Sequence, residues 1–238
     1  MHGRLATLSV LREARCHQFL PPDSGRETVK HVEVYWSHQS PYCYFSLDRI
    51  LSLRQRHDVT VSLRLVLPGV LRNAGKFTGA SEIEQRYFAL DSKRTAHYLG
   101  IPYGIPCPWP VECEPGTLYR AEPDQPRVFG LYHLNQVAIE LGSGLDFLDV
   151  VARLIWNGAT TNWHEESTMC SAIERAGLDY DLLSRRVGKA EQTYMRIYAE
   201  NAETLHASGH WGVPVFVYKG EPFYGQDRFD QLVWRLDH

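Results

Sequence analysis

The sequence predicts an α/β fold in which one sheet is divided along the chain by a large helical insertion. Two strand-like segments near the start, Val32–Trp36 and Val59–Val66, flank a helical segment and form a βαβ unit, so they should be parallel. Two short strands near the end, Val213–Tyr218 and Pro222–Tyr224, are joined by a two-residue turn and precede a last amphipathic helix. The pattern between the two parts is mostly helical, which indicates an insertion rather than a separate second domain.

The composition excludes several classes of protein. With 238 residues the chain is long enough for one large domain. Its formal net charge of -3 provides no broad basic surface for nucleic acid or an anionic membrane. No apolar run approaches the ~18 residues needed to span a bilayer. Residues 1–30 lack the uninterrupted apolar core of a secretory signal, so we expect a plain N-terminal arm there.

The cysteines argue against a disulfide framework. Their number is odd, no pair has CxxC spacing, and the chain is large for a disulfide-stabilised scaffold. This pattern favours a reducing compartment such as the cytoplasm. The five positions are Cys16, Cys43, Cys107, Cys113 and Cys170.

The first predicted strand leads into a helix that opens at Ser40-Pro41. Ser40 suits the N-cap position, and proline is well tolerated at the first helical position. The first amides of a helix have no internal partner, and the helix dipole there favours negative charge. The segment therefore predicts an anion site at Ser40.

Further helices fill the insertion and the end of the chain. One is predicted from Ser81 to Leu99, with Glu84 as the capping-box partner of Ser81. A proline-rich loop follows over Pro102–Pro126. The remaining helices are predicted at Val128–Leu141, Phe147–Trp156, Glu165–Ala176, Asp181–Ser208 and Asp227–Leu236.

A βαβ unit followed later by ββα is the plan of the thioredoxin fold. Residues 31–75 and 205–238 are predicted to form that domain, with residues 76–204 as the helical insertion. Such folds place a cis proline before the third strand, where Val213-Pro214 stands, and X-Pro bonds adopt cis at modest cost. A cis bond would turn the Val213 N–H and C=O outward for pairing with an extended peptide. An ordinary trans proline at a strand start is the alternative, and the local sequence leaves both open.

Three segments resemble a known family. They are SPYCYFSLDR (Ser40–Arg49), LGIPYGIPCPWP (Leu99–Pro110) and GVPVFVYKGEPFYGQDRFDQL (Gly212–Leu232). Together they resemble the 2-hydroxychromene-2-carboxylate isomerase and kappa-class glutathione transferase family, within the DsbA-like thioredoxin superfamily. The resemblance covers roughly residues 31–237. It implies a thioredoxin-like fold with a large all-helical insertion, glutathione as cofactor, a small-molecule substrate and a homodimer.

The resemblance also implies a glutathione site. Ser40 matches the serine that hydrogen-bonds the glutathione sulfur. Val213, before Pro214, matches the residue whose backbone pairs with the cysteinyl unit.

Two further parts of that site are implied at the ends of the ligand. Gln226 and Asp227 match positions near the γ-glutamyl end. Asn73 and Lys76 lie where the family has a polar residue facing glutathione and substrate, and the sequence does not distinguish between them.

The residue types agree with a role in binding a thiolate. A serine cannot cycle to a disulfide, but a hydroxyl at a helix N-terminus can stabilise a sulfur anion, and helix N-termini lower thiol pKa values. A stabilised thiolate can add to an electrophilic carbon. In an isomerase, reversible addition would let a double bond rotate before elimination; in a transferase the adduct would be released.

Two other functions stay open at this point. Cys43 could act as a single thiol in a DsbA-like oxidoreductase, or it could be a small buried apolar residue. A protein without turnover could bind a thiol or peptide at the cis-proline edge. His206 and His210 have helical metal-ligand spacing, but no third ligand is evident, so we expect no metal.

Overall fold

The computed structural model describes residues 29–73, 75, 81–117, 119–188 and 190–238. Residues 1–28, which hold most of the predicted N-terminal arm, lie outside the described residues, as do Cys16 and Lys76. The predicted arm extends too far, because Lys30 already begins the first strand.

A mixed four-stranded sheet forms the centre of the fold, in the order β2-β1-β3-β4. The strands are β1 Lys30–Trp36, β2 Val59–Leu65, β3 Val215–Tyr218 and β4 Glu221–Tyr224. β1 and β2 are parallel, as predicted, and β3 is antiparallel to both β1 and β4. These directions bring the ends of β1, β2 and β4 and the start of β3 to one edge, here named the carboxyl edge. The predicted α/β fold with a divided sheet is confirmed.

The helices lie mainly between β2 and β3, as the sequence pattern predicted. None in the described ranges is both long and apolar enough to cross a membrane. They are α1 Pro41–Arg54, α2 Gly69–Arg72, α3 Glu82–Leu99, α4 Pro126–Glu140, α5 Gly144–Trp156, α6 Glu166–Arg175, α7 Tyr180–Val187, α8 Glu191–Ala207, a 3-10 turn Gln226–Arg228, and α9 Phe229–Asp237.

The prediction of one helix over Asp181–Ser208 is wrong, because the chain forms α7 and α8 with a break near Gly188. Glycine in a helix interior costs about 1 kcal/mol relative to alanine, so the segment has a natural breaking point. The predicted domain boundary at residues 204 and 205 falls inside α8, which is continuous from Glu191 to Ala207. The division into a thioredoxin-like domain and an insertion stays a prediction.

The β3–β4 hairpin has the predicted two-residue turn. Lys219 and Gly220 have φ angles of 51° and 79°, as a type I′ turn requires. β3 begins at Val215, not at the predicted Val213, because its ladder with β1 starts where Val215 faces Tyr35.

Both faces of the sheet are covered, because successive strand residues point to opposite sides. Val34 and Trp36 join the larger core, which also contains Phe45 of α1 and residues of the inserted helices. Tyr35, between them, packs in a smaller cluster with Leu205 of α8 on the other face. The inserted helices and the sheet therefore share the larger of the two cores.

The proline-rich loop crosses the end of α5 at two glycines. A Cβ built on Gly104 would lie 2.3 Å from the Cα of Gly158, so no side chain fits between the two backbones. Gly104 also donates its N–H to the Trp156 carbonyl at 2.9 Å. The loop packs on α1 as well, where Tyr44 donates to the Pro102 carbonyl at 2.7 Å.

Candidate thiol-binding site at the start of helix α1

Ser40 caps α1 at the carboxyl edge of the sheet. Its backbone is extended, with φ -91° and ψ 117°, and its hydroxyl oxygen accepts the Cys43 backbone N–H at 3.3 Å. Pro41 occupies the start of the helix, where an N–H would have had no internal partner. Ser40 is half-buried, and the predicted N-cap is confirmed.

The first turn of α1 is suited to an anion. It contains no acidic residue. The Tyr42 backbone N–H has no acceptor among the described residues, whereas the Cys43 N–H donates to the Ser40 hydroxyl and the Tyr44 N–H donates to the Ser40 carbonyl. An unpaired N–H and the positive end of the helix dipole both favour negative charge. The arrangement can therefore stabilise an anion through the Tyr42 N–H together with the Ser40 hydroxyl.

Cys43 lies one turn into α1 and is fully buried. Burial raises the pKa of its thiol to about 12, against smaller lowering effects of the Ser37 N–H and the Ser40 hydroxyl. The Ser37 N–H donates to the Cys43 sulfur at 3.5 Å. Since only the thiolate is a nucleophile, a protonated and inaccessible thiol does not attack disulfides. The interpretation of Cys43 as a small buried residue is confirmed.

A buried chain of hydrogen bonds fixes the turn between β1 and α1. The Ser37 hydroxyl lies 2.8 Å from the Tyr132 hydroxyl of α4, and Tyr132 donates to the Val66 carbonyl at 2.8 Å. Because Tyr132 uses its proton on Val66, Ser37 donates to Tyr132. Burial also raises the pKa of Tyr132, which keeps its hydroxyl protonated. The turn is thus held against both β2 and the insertion.

His38, two residues before Ser40, is a neutral buried residue. Its Nε2 lies 3.0 Å from Asn135 Oδ1, and Asn135 in turn donates to the Gly144 carbonyl at 3.2 Å. Nε2 is therefore the donor, and Nδ1 has no partner among the described residues. Burial lowers the pKa of His38 to about 3. The His38 carbonyl accepts a hydrogen bond from the Trp156 indole at 2.9 Å. His38 and its partners Asn135 and Trp156 are all neutral at pH 7, so the residues beneath the start of α1 carry no charge there.

The second part of the site is the turn that precedes β3. The Val213-Pro214 peptide bond is cis. Continuing the β1–β3 register beyond Tyr35 and Val215 places Val213 opposite Ser37, beside the turn that leads to Ser40. Neither the N–H nor the C=O of Val213 has a hydrogen-bond partner among the described residues. A free donor and acceptor on one residue suit an extended ligand backbone.

Aromatic rings stack beside this turn. The His210 ring lies between Trp211 and Tyr224, with centroid distances of 4.5 Å and 4.0 Å. The Gly212 N–H donates to His210 Nδ1 at 2.9 Å, which fixes the imidazole. Trp211 is 57% exposed and Tyr224 50% exposed, so the stack offers an aromatic surface near Val213.

The loop after β4 brings Gln226 and Asp227 to the carboxyl edge. Gly225 donates its N–H to the Pro214 carbonyl at 2.9 Å, which attaches this loop to the turn before β3. Arg49 of α1 donates to the Gln226 carbonyl at 2.8 Å. The exposed Asp227 carboxylate accepts from Arg228 at 2.7 Å and folds back over Gly225. Both predicted residues therefore lie in a loop held by α1 and by the turn before β3.

Asn73 follows α2, which begins just after β2, so it also lies toward the carboxyl edge. It is exposed, and its backbone N–H donates to the Gly69 carbonyl at 2.8 Å. Lys76, the other predicted residue of this stretch, lies outside the described residues.

Helix α3 contacts α1 close to the site. Tyr42 donates to Asp91 Oδ2 at 2.5 Å, and Asp91 also pairs with Arg94. Burial, followed by the Asp91 hydrogen bond, raises the pKa of Tyr42. Helix α3 thus makes a direct hydrogen bond to the second residue of α1.

Sequence reasoning missed the residues that support the site. Ser37 and Tyr132 are 95 residues apart, and His38 and Asn135 are 97 residues apart. Local patterns carry no sign of such contacts. The polar run Ser37-His38-Gln39 after an apolar strand was the one available signal, because buried polar residues need partners.

The described cysteines other than Cys43 are Cys107, Cys113 and Cys170, and each has a free thiol. No group of three metal-binding side chains occurs within the described residues. His206 lies in α8, whereas His210 lies beyond its end at Ala207, so the two do not share a helix face.

The fold and this edge define a thioredoxin-fold protein with serine at the start of its first helix. Residues 31–237 match the DSBA-like thioredoxin domain, and the chain belongs to this family. The predicted superfamily is thereby confirmed. No curated protein matches the chain significantly.

Several solved structures share the fold. A 2-hydroxychromene-2-carboxylate isomerase is 18% identical with a TM-score of 0.61, covering 87% of this chain and 94% of its own. A probable DsbA oxidoreductase from Streptomyces coelicolor is 20% identical with a TM-score of 0.59, covering 87% and 89%. The cytosolic disulfide reductase DsbM from Pseudomonas aeruginosa with GSH is 14% identical with a TM-score of 0.58, covering 87% and 100%. At these identities the likeness concerns the fold.

Proposed function

We propose that the protein is a glutathione-dependent isomerase, or a glutathione transferase, acting on an electrophilic aromatic small molecule. The observation that carries the proposal is the contrast within the first turn of α1. Ser40 presents a hydroxyl at the helix N-terminus, while the thiol of Cys43 is buried with its pKa raised to about 12. The reactive sulfur must then come from a bound thiol.

The described residues fit glutathione as that thiol. The N–H and C=O of Val213, beside Pro214, have no partner within the described ranges and suit its extended peptide backbone. The Asp227 carboxylate suits its ammonium group, and Gln226 lies in the same loop. Asn73, at the end of α2, is proposed to contact the ligand or substrate, and the same role is proposed for Lys76, which lies outside the described residues. The structures of the isomerase and of DsbM with GSH support this proposal through their shared fold.

Each residue has a distinct chemical part in the proposal. Bound glutathione would supply a thiolate for reversible addition to a conjugated carbon, which would allow rotation about the former double bond before elimination restores the double bond and the thiolate. The Ser40 O–H and the Tyr42 N–H donate hydrogen bonds to the sulfur and hold it in its ionised form. Val213 and Asp227 orient the ligand. The exposed rings of Trp211 and Tyr224 offer a face on which an aromatic substrate can stack.

The oxidoreductase alternative is disfavoured by the burial of Cys43. A binding protein without turnover would use the same edge, and turnover distinguishes it from the enzyme. We also propose a cytoplasmic location, where glutathione is abundant and thiols stay reduced. The homodimer stays a prediction.

The test is a calorimetric titration of the protein with glutathione and with S-methylglutathione. We expect glutathione to bind and to show the ultraviolet absorbance of a thiolate below the pH at which the free thiol ionises. The sulfur of S-methylglutathione is a thioether and cannot form a thiolate, so this ligand serves as the control for backbone binding. No glutathione binding at millimolar concentration, or binding without thiolate absorbance, would contradict the proposal.

A further inference from the structure

A cavity of about 570 Å³ lies between α8 and the chain that follows β2. Its walls are mainly apolar and include Leu67, Tyr198 and Ala202, while Glu203 and His206 stand on the exposed side of α8. Its volume is within the range of small-molecule sites. Ser40, Val213 and Asp227 are not among its described lining residues, so it is distinct from the proposed thiol site.

Arg72 is the basic group of this cavity, and it is half-buried. Its Nε donates to the Leu67 carbonyl at 2.7 Å and its Nη2 to the Trp211 carbonyl at 3.2 Å. Both acceptors are neutral. The Nη1 group has no acceptor among the described residues, so the guanidinium keeps donors for a further partner.

Arg72 differs from comparable arginines because no carboxylate pairs with it among the described residues. Burial lowers its pKa, and the titratable group that opposes this effect is the phenol of Tyr132 rather than an acid. The other half-buried arginines in the described ranges each pair with a carboxylate. They are Arg49, Arg56, Arg64, Arg127, Arg153 and Arg235.

We propose that this cavity binds a small monocarboxylic acid with an apolar, aromatic-sized body, and that Arg72 pairs with the carboxylate. A guanidinium binds a carboxylate through two parallel hydrogen bonds, and the pair is strongest where water is partly excluded. The apolar walls formed by Leu67, Tyr198 and Ala202 suit the body of such a molecule. Glu203 also lines the cavity and would repel a second negative charge, which favours a monoanion.

The Arg72 cavity lies next to the turn before β3, but its described lining residues are not those of the proposed thiol site. Arg72 holds the carbonyl of Trp211, two residues before Val213. Occupation of the cavity therefore changes the surroundings of an exposed indole, which provides a fluorescence signal. The proposal does not depend on glutathione binding.

The experiment titrates the full-length protein with naphthoate and with neutral naphthamide, followed by calorimetry and tryptophan fluorescence. We expect naphthoate to bind at least about tenfold more tightly than naphthamide. Arg72→Gln should reduce naphthoate binding to the level of the amide and leave amide binding unchanged. The matched control is Arg196→Gln on α8, an exposed arginine that pairs with Glu200 and does not line the cavity, and it should bind both probes normally.

A second variant tests the cavity without touching the charge. Ala199→Phe places a ring in the cavity from the exposed face of α8 and should abolish binding of both probes, with circular dichroism confirming the fold. Equal naphthoate affinity in wild type and Arg72→Gln would overturn the proposal, as would no binding at millimolar concentration. The carboxylates of glutathione are another source of the same chemistry. If glutathione competes fully with naphthoate and Arg72→Gln weakens both equally, the cavity belongs to the thiol site and the separate site is rejected.

Discussion

Helices α1 and α3 both begin at a serine, but their N-termini differ in what satisfies them. At α3, Ser81 accepts the Glu84 N–H while the Glu84 carboxylate accepts the Ser81 N–H at 2.7 Å, which completes a capping box. Glu82 and Glu84 also place negative charge in that first turn. At α1, Ser40 makes the cap, no acid follows, and the Tyr42 N–H has no acceptor within the described residues.

This difference shows that a serine cap alone does not mark a site. The N-terminus of α3 is closed because its own side chains supply the anion that the helix dipole favours. The N-terminus of α1 lacks such an anion and is left for an external one. The distinguishing feature is therefore the missing carboxylate in the first turn, which the sequence already displays.

The largest expected effect comes from removing the Ser40 hydroxyl. Ser40→Ala should lower glutathione-dependent turnover about 10²-fold, because one preorganised donor to a developing or bound anion is worth that much. It should also raise the pKa of the bound thiol by about one unit or more. The measurements are steady-state kinetics with a conjugated aromatic probe and an ultraviolet titration of the bound thiolate.

Ser81→Ala is the matched control for this change, since it removes the cap of the closed helix. Its turnover and its bound-thiol pKa should equal those of wild type. An identical loss in both variants would show that the Ser40 effect is structural, and the functional distinction between the two helices would fail.

The next effect tests the neutral support beneath the start of α1. Burial lowers the pKa of His38 in the folded protein to about 3, whereas a histidine in the unfolded chain has its ordinary pKa of 6.5, so between these pH values the unfolded chain binds one proton more. Stability is therefore fully present above pH 6.5 and falls as the pH decreases toward 3. Lowering the pH from 7 to 5 should cost about 2 kcal/mol through this residue.

His38→Gln should remove this part of the pH dependence, because glutamine does not titrate and keeps a donor for Asn135. The measurement is urea unfolding of both proteins at pH 7 and pH 5. His133, whose pKa burial also lowers, is unchanged in the variant and cancels in the comparison. A wild-type pH slope that persists in His38→Gln would contradict a buried neutral His38.

A smaller effect is expected from the cap of α3. Ser81→Ala should lower the free energy of unfolding by about 1 kcal/mol, since an N-cap serine contributes that amount. Urea unfolding at neutral pH measures the change. A free energy of unfolding equal to that of wild type would show that the capping box of α3 does not stabilise the protein. The proposed difference between the N-termini of α3 and α1 would then lose its energetic basis.

The smallest effect on activity is expected at Cys43. Cys43→Ala should leave turnover within about twofold of wild type, because the buried thiol is protonated and out of reach of substrates. Steady-state kinetics and a disulfide-exchange assay check this. Loss of activity in this variant, with Ser40→Ala active, would revive the oxidoreductase interpretation.

The local parts of the fold were predictable from the sequence. The Ser40-Pro41 start, the capping box at Ser81 and the Lys219-Gly220 turn each depend on residues within a few positions, so their chemistry is visible in the chain. The break at Gly188 was not predicted, because its neighbours favour helix and a single glycine costs only about 1 kcal/mol.

The candidate site was predictable only in its outline. Ser40, Val213 and Asp227 came from local chemistry and family resemblance, and the sheet topology brings their segments to one edge. The contacts of Ser37 with Tyr132 and of His38 with Asn135 join residues far apart in the chain. Such pairs depend on how the insertion packs on the sheet, which no local pattern contains. That Arg72 has no carboxylate partner among the described residues could not be predicted for the same reason.

The crossing of Gly104 and Gly158 has a consequence for how the chain can evolve. A Cβ on Gly104 would lie 2.3 Å from the Gly158 backbone, and Gly158 itself has a φ of 74°. A mutation at either glycine would separate the proline-rich loop from the end of α5, which carries Trp156 and its bond to His38. The two glycines should therefore be inherited as a pair, and a lineage that loses one would be expected to rebuild the loop beside α1.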